Sequence, residues 1–141
     1  MTIDPLKDFP GYALRRASVA TMQRLAGGLQ VLDLRASEAS ILLVIEANPG
    51  ITQSDIGRLL DIAGANMAPL MRRLHDRDLV ERNAVDGRSQ ALHLSPAGRA
   101  LSAKARRIFR AHEDELLKKI PPADRAPFLK NLQALYSDPT D

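Results

Sequence analysis

The sequence predicts a mainly α-helical (α+β) domain that carries a single two-stranded hairpin. Three observations lead there. Apolar residues recur at helical spacing along most of the chain. Only "LVERNAV" and "SQALHL" alternate as strands do, and Asp86-Gly87-Arg88 between them is a hairpin turn signal. The 141 residues, 45% of them apolar and 26% charged, are enough for one domain spanning 1–141 with a core of its own.

The elements follow in order. Over residues 11–32, Leu14, Ser18, Thr21, Met22, Leu25, Leu29 and Leu32 share one side of a helix. Gly27-Gly28 weakens its last turns, since glycine costs about 1 kcal/mol against alanine in a helix. The helix therefore bends there or admits a close neighbour. A second helix follows "RASEAS", with Ser37 as N-cap and Ile41, Leu42, Val44 and Ile45 turned inward, and "NPG" at 48–50 stops it. Thr52 and Asp55 have capping-box spacing at the head of a short helix whose apolar face is Ile56, Leu59 and Leu60.

After "AGA" a fourth helix points Met67, Leu70, Met71 and Leu74 inward and Arg72, Arg73 and Arg77 outward. Its Pro69 is tolerated in a first turn, which requires Asn66 to be the N-cap. Beyond the hairpin, Ser95-Pro96 combines an N-cap with proline at the first helical position. The helix it opens runs to Ile120, where Pro121-Pro122 ends it. A last helix over about 123–136 buries Phe128, Leu129, Leu132 and Leu135, its start kinked or delayed by Pro127.

Composition narrows the function. The chain has no cysteine, which excludes disulfides, thiolate zinc sites and thiol-based redox sensing. With 4% aromatics and no Trp, a stacking platform for single-stranded nucleic acid is not expected. A net charge of +3 and a pI near 9.6 permit a polyanionic partner without demanding one. The first residues, "MTIDPLKDFPGY", lack the apolar stretch of a signal peptide and no run is long enough to span a bilayer, so the expected location is cytoplasmic, away from membranes. His75, His93 and His112 are scattered, with His93 expected to face solvent, so neither a metal nor any other cofactor is expected. No nucleophile–base pair, carboxylate pair or glycine-rich phosphate loop supports an enzyme.

Two short helices joined by a tight turn and followed by a hairpin make a winged helix-turn-helix. In such a unit the second helix enters the major groove of double-stranded DNA while the first crosses the backbone. An arginine at the hairpin tip reaches the narrower groove, whose negative potential favours a guanidinium. Arg88, with Ser89 beside it, has that position, and Asp86 is close enough to orient it.

On these residues the sequence resembles the MarR-type transcriptional regulators. The matching stretches are "PGITQSDIGRLL" at 49–60, "LMRRLHDRDLVER" at 70–82 and "DGRSQALHLSPAGR" at 86–99, with the Asp-x-Arg wing on Asp86 and Arg88, and Leu94-Ser95 and Gly98 after it. The resemblance implies a homodimer interlocked through helices at about 11–34 and 100–137, with a DNA-binding lobe at about 50–98. It also implies a repressor reading a pseudo-palindromic operator and released by a small molecule, an aromatic carboxylate or its thioester. Two other readings stay open: a winged-helix module for protein interaction, and a DNA-binding dimer without an effector.

The lobe is nearly charge-balanced, so affinity must come from a few placed side chains. Gln53 and Ser54 at a helix start contact phosphate or simply cap. Asn66 and one of Arg72 and Arg73 read bases; these two arginines project about 100° apart, so the other meets a surface acid. For the effector the candidates are Tyr12, Arg15, Phe109 and His112. Arg15 borders the apolar arc as a carboxylate clamp or an interface ion pair, and Arg16 lies opposite. Phe109 is alternatively core.

Overall fold

The computed structural model describes residues 1–84 and 90–137; Asp86, Arg88 and Ser89, and with them the predicted wing tip, lie outside the described residues. Helix α1 spans Pro10–Leu29, with proline at its first position, where no amide hydrogen is needed. It tightens into a 3₁₀ turn at Gln30–Leu32 and ends at Asp33, which is left-handed at φ 51°, so the helix expected to reach Leu32 changes pitch before it. Within the chain only Leu25 and Leu29 of the predicted stripe are buried, while Leu14 and Met22 stay 43% and 45% exposed. Gly28 admits a close neighbour: a Cβ there would stand 3.1 Å from the Ile108 side chain.

Helix α2, Ala36–Ala47, is capped differently from the expectation. Arg35, not Ser37, is the N-cap, because the Glu38 carboxylate reaches back to accept the Arg35 amide at 3.1 Å. Ile41, Leu42 and Ile45 form the floor of the core, and Val44 is only half-buried. Helix α3, Gln53–Leu60, begins as predicted: Thr52 Oγ1 accepts from the Asp55 amide at 3.2 Å. Ile56 is buried, but Leu59 is 62% exposed, since it lies off the side of this two-turn helix that carries Ile56 and Leu60.

Helix α4 spans Gly64–Asp76, so Asn66 is its third residue rather than its cap, and Pro69 sits inside it. Small residues let the helix start earlier: the Ala63 carbonyl accepts from both Asn66 and Met67 amides, at 2.9 and 3.0 Å. Pro69 therefore deprives the Ala65 carbonyl of its helical partner, but both residues are exposed and water can satisfy it. Met67, Leu70, Met71 and Leu74 are buried as predicted.

Strands β1 (Val80–Ala84) and β2 (Gln90–Leu94) pair antiparallel, with Val80 opposite Leu94 and Arg82 opposite Leu92. Leu92 also exchanges backbone bonds with the segment before α3: its amide donates to Ile51 at 2.9 Å and its carbonyl accepts from Gly50 at 2.8 Å. That ties the hairpin to the helix-turn-helix. Helix α5, Pro96–Leu117, opens on Ser95, whose Oγ accepts from the Gly98 amide at 3.0 Å and donates to the Asp78 carbonyl at 2.5 Å. It stops at Leu117 instead of Ile120; tight bonds such as Ile120 N–H to Leu117 at 3.0 Å unwind it ahead of Pro121. A 3₁₀ turn at Pro122–Asp124 leads into α6, Arg125–Ala134.

α6 begins at Arg125, two residues after the expected start near Ala123, which makes Pro127 its third residue, where it forfeits no bond and need not kink the helix. The larger correction concerns burial. No residue of α6 is buried within the chain: Leu129 and Leu135 are 55% and 69% exposed, and Phe128 and Leu132 half-buried. The core they were expected to join lies instead between α2, α4, the hairpin and the last turns of α1. Among the described residues no helix is long and apolar enough to cross a membrane.

Candidate nucleic-acid interface

The outward side of α4 decides which arginine is available. Arg73 turns inward: its Nε donates to Glu38 Oε2 at 3.1 Å, and that carboxylate is fully buried. Glu38 in turn holds the arginine's pKa above its ordinary value, through the hydrogen bond first and the charge second. Arg77, expected outward, donates to the carbonyls of Asp33 at 2.6 Å and Leu32 at 3.1 Å. Arg73 thereby ties α4 to the first turn of α2, and Arg77 ties it to the end of the 3₁₀ turn after α1. Arg72 alone of the three remains on the open face, where it lines a shallow concavity of about 570 Å³ with Gln53, Ala68, His75 and Arg82.

Of the predicted DNA contacts among the described residues, the structure brings Gln53 and Arg72 together and leaves Ser54, Asn66 and Arg73 out of that concavity. Asn66 is exposed but six residues before Arg72, about 120° around the helix from it. Ser54 is exposed and lines a neighbouring depression with Gly57, Arg58, Asp61 and Gly64, at the turn between α3 and α4. Two members of the face were not singled out in the sequence, His75 and Arg82. Arg82 Nε donates to His75 Nε2 at 2.5 Å, so this nitrogen is unprotonated in the pair. Burial and the adjacent Arg82 charge push the His75 pKa below the usual histidine value of 6.5. With the folded pKa depressed, the unfolded chain binds more protons in the window below 6.5, so stability falls as pH drops through it. Urea midpoints between neutral and mildly acidic pH should show this slope, and His75→Gln should flatten that share of it.

The predicted effector residues are dispersed. Tyr12 is engaged by Arg16, not Arg15: Arg16 Nη1 donates to Tyr12 Oη at 3.2 Å, and the guanidinium carbon lies 5.8 Å from the ring centre. Residues four apart share a helix face, which is why the pair forms. Arg15 is exposed on α1. His112 is hydrogen-bonded to Thr21 Oγ1 at 3.1 Å, which joins α5 to α1, and Thr21 is about 120° around α1 from Arg15. Phe109 packs half-buried against the core. His93, expected in solvent, is half-buried in a cleft with Glu46, Pro49 and Arg99. Near that cleft Glu46 accepts from Ser102 Oγ at 3.0 Å and from Arg106, which holds its carboxyl below the ordinary carboxylate value and links α2 to α5.

A two-helix unit under a two-stranded hairpin, with a polar face on its second helix, defines a winged helix-turn-helix protein. A family model described as "MarR family" matches residues 32–89. Over this stretch the chain is similar to the MarR family of transcriptional regulators. It is 28% identical over 130 residues to the HTH-type transcriptional repressor Rv2887 of Mycobacterium tuberculosis (strain H37Rv), covering 91% of this chain and 94% of the relative. Among solved structures it is similar to the transcriptional repressor CouR bound to a 23-mer DNA duplex, at 29% identity and TM-score 0.89, covering 97% of this chain and 99% of that one. CouR bound to p-coumaroyl-CoA matches with TM-score 0.87 at 29% identity, covering 98% and 99%. Rv2887 in complex with salicylic acid matches with TM-score 0.73 at 27% identity, covering 92% and 98%.

Proposed function

We propose that this protein is a homodimeric, cytoplasmic transcriptional repressor that binds a pseudo-palindromic operator and is released by a small aromatic carboxylate or its thioester. The observation that carries the reading is the open α4 face of Gln53, Arg72, His75 and Arg82, in a chain that matches a DNA-bound repressor over 97% of its length. In this reading α4 lies in the major groove, Arg72 and Asn66 meet base edges, and Gln53 and Ser54 meet phosphates. Arg88, oriented by Asp86 and flanked by Ser89, enters the adjacent minor groove. Segments at about 11–34 and 100–137 form the dimer and the lobe at about 50–98 binds DNA.

Dimerisation has a physical argument of its own. A helix of ten residues with no buried side chain is marginal in water, and α6 is such a helix. Leu129, Leu135 and Tyr136 on or just after α6, and Val19 and Met22 on α1 with Phe9 at its cap, are each at least 45% exposed, two groups of apolar side chains open to a partner. A second copy covers both. For the effector, the acid and thioester complexes of the relatives supply the chemical class, and exposed Arg15 supplies a carboxylate partner.

The test is a gel shift on DNA flanking the protein's own gene, repeated with aromatic acids and their coenzyme A thioesters, with sedimentation at the same concentrations. A dimer, two protected half-sites about 10 base pairs apart and release by one compound class are expected. Failure to bind DNA at low salt would leave the protein-interaction module; binding that no compound releases would leave a dimer without an effector. In the same assay Arg88→Ala should weaken operator binding by roughly 1–3 kcal/mol with the fold intact. Arg15→Ala should leave DNA affinity unchanged and raise the effector concentration needed for release.

A further inference from the structure

We propose that Arg82 is a phosphate-contacting residue of the DNA face and that His75 is the residue that positions it. The inference rests on the proposed function and adds two residues to that face. By register Arg82 belongs to the inward side of the hairpin: it pairs with Leu92, two residues beyond Val80, and Val80, Leu92 and Leu94 are all buried. A strand with this alternation places an apolar residue there. Instead an arginine leaves the core at its edge and remains exposed.

What holds it is the imidazole of His75, one helical turn after Arg72 on α4. The 2.5 Å bond uses the Nε–H of Arg82, the one donor of the guanidinium that does not belong to its terminal fork. Fixing Nε sets the plane of the fork, and Arg82 lines the same concavity as Arg72 and Gln53. Two guanidinium groups and an amide around one concavity are the donor set for an anion with several oxygens. Beside a helix placed in the major groove, that anion is a backbone phosphate of the same duplex. The contact carries no sequence information; it adds affinity and fixes the angle of α4.

The experiment measures affinity by fluorescence anisotropy over a salt series, on one duplex from the DNA flanking the gene and one random duplex of equal length. Arg82→Ala should weaken both equally and reduce the slope of log affinity against log salt by about one. His75→Ala should do the same, and adding Arg82→Ala to it should change nothing further. His75→Gln, which keeps an acceptor at the same reach, should restore the wild-type slope; a purely structural role for the ring would not be rescued. Circular dichroism and the thermal midpoint check folding, and Arg82→Gln replaces the alanine variant if that one loses the hairpin. An unchanged slope in a folded Arg82 variant, additive losses in the double variant, or no rescue by glutamine overturns the inference alone. Wild-type protein that binds neither duplex at any salt overturns the proposed function and this inference with it.

Discussion

Gly98→Ala is expected to destabilise the protein by roughly 3 kcal/mol, the upper range for inserting one carbon into a packed site. A Cβ at Gly98 would stand 2.0 Å from the Leu79 carbonyl oxygen and 3.0 Å from its carbon, and both are backbone atoms that no rotamer change moves aside. The approach is this close because Ser95 both caps α5 and binds the chain leading into β1. Its amide donates to Leu79 at 3.0 Å and its hydroxyl to Asp78 at 2.5 Å. Relieving the clash means moving α5 away from the hairpin, which opens the Ser95 bonds and the packing of Leu79 and Leu94 together. Urea unfolding at fixed protein concentration is the measurement, since the proposed dimer would make the midpoint concentration-dependent. A loss under about 1 kcal/mol would mean that the junction relaxes without breaking these bonds.

Gly98 also shows what sequence could and could not convey. Ser95-Pro96 marked the helix start, and the same reasoning found Thr52 at the head of α3 and the buried side of α4, because caps and period are local properties. The need for glycine at 98 depends on a carbonyl nineteen residues earlier, which no local pattern carries. The same limit explains the other differences. Ser37 was the better N-cap by residue type, but Glu38 is drawn to the helix start by Arg73, thirty-five residues on. The apolar side of α6 was legible and its exposure within the chain was not, because periodicity shows that a helix has an apolar face without showing what that face packs against. At the candidate site, Gln53 and Arg72 were found from their places on two helices. His75 and Arg82 were missed: each looked like an isolated polar residue, and only the hairpin's return against α4 joins them.

The same long-range geometry separates two arginines that are adjacent in sequence, and their alanine variants should fail in different ways. Arg73→Ala leaves the Glu38 carboxylate, 0% exposed, without its main partner. Removing the partner of a buried carboxylate is costly because the remaining group stays desolvated, and a measurable loss of stability is expected. Three features moderate it. The Arg35 amide still donates to the carboxylate at 3.1 Å, its guanidinium lies 3.8 Å away, and Arg73 is itself 40% exposed. Glu38→Gln in the Arg73→Ala background removes the stranded charge and should recover a measurable part of the loss, which distinguishes desolvation from a packing defect. Arg72→Ala, by contrast, removes an exposed side chain and should change stability by less than about 0.5 kcal/mol. Its effect should fall on DNA, with operator affinity weaker by about 1–3 kcal/mol and discrimination between operator and random duplex reduced. Urea unfolding and anisotropy titrations on both variants make the comparison. Arg73→Ala at wild-type stability would show that Glu38 is not held as a buried anion, and Arg72→Ala with undiminished operator affinity would take α4's open face out of the recognition surface.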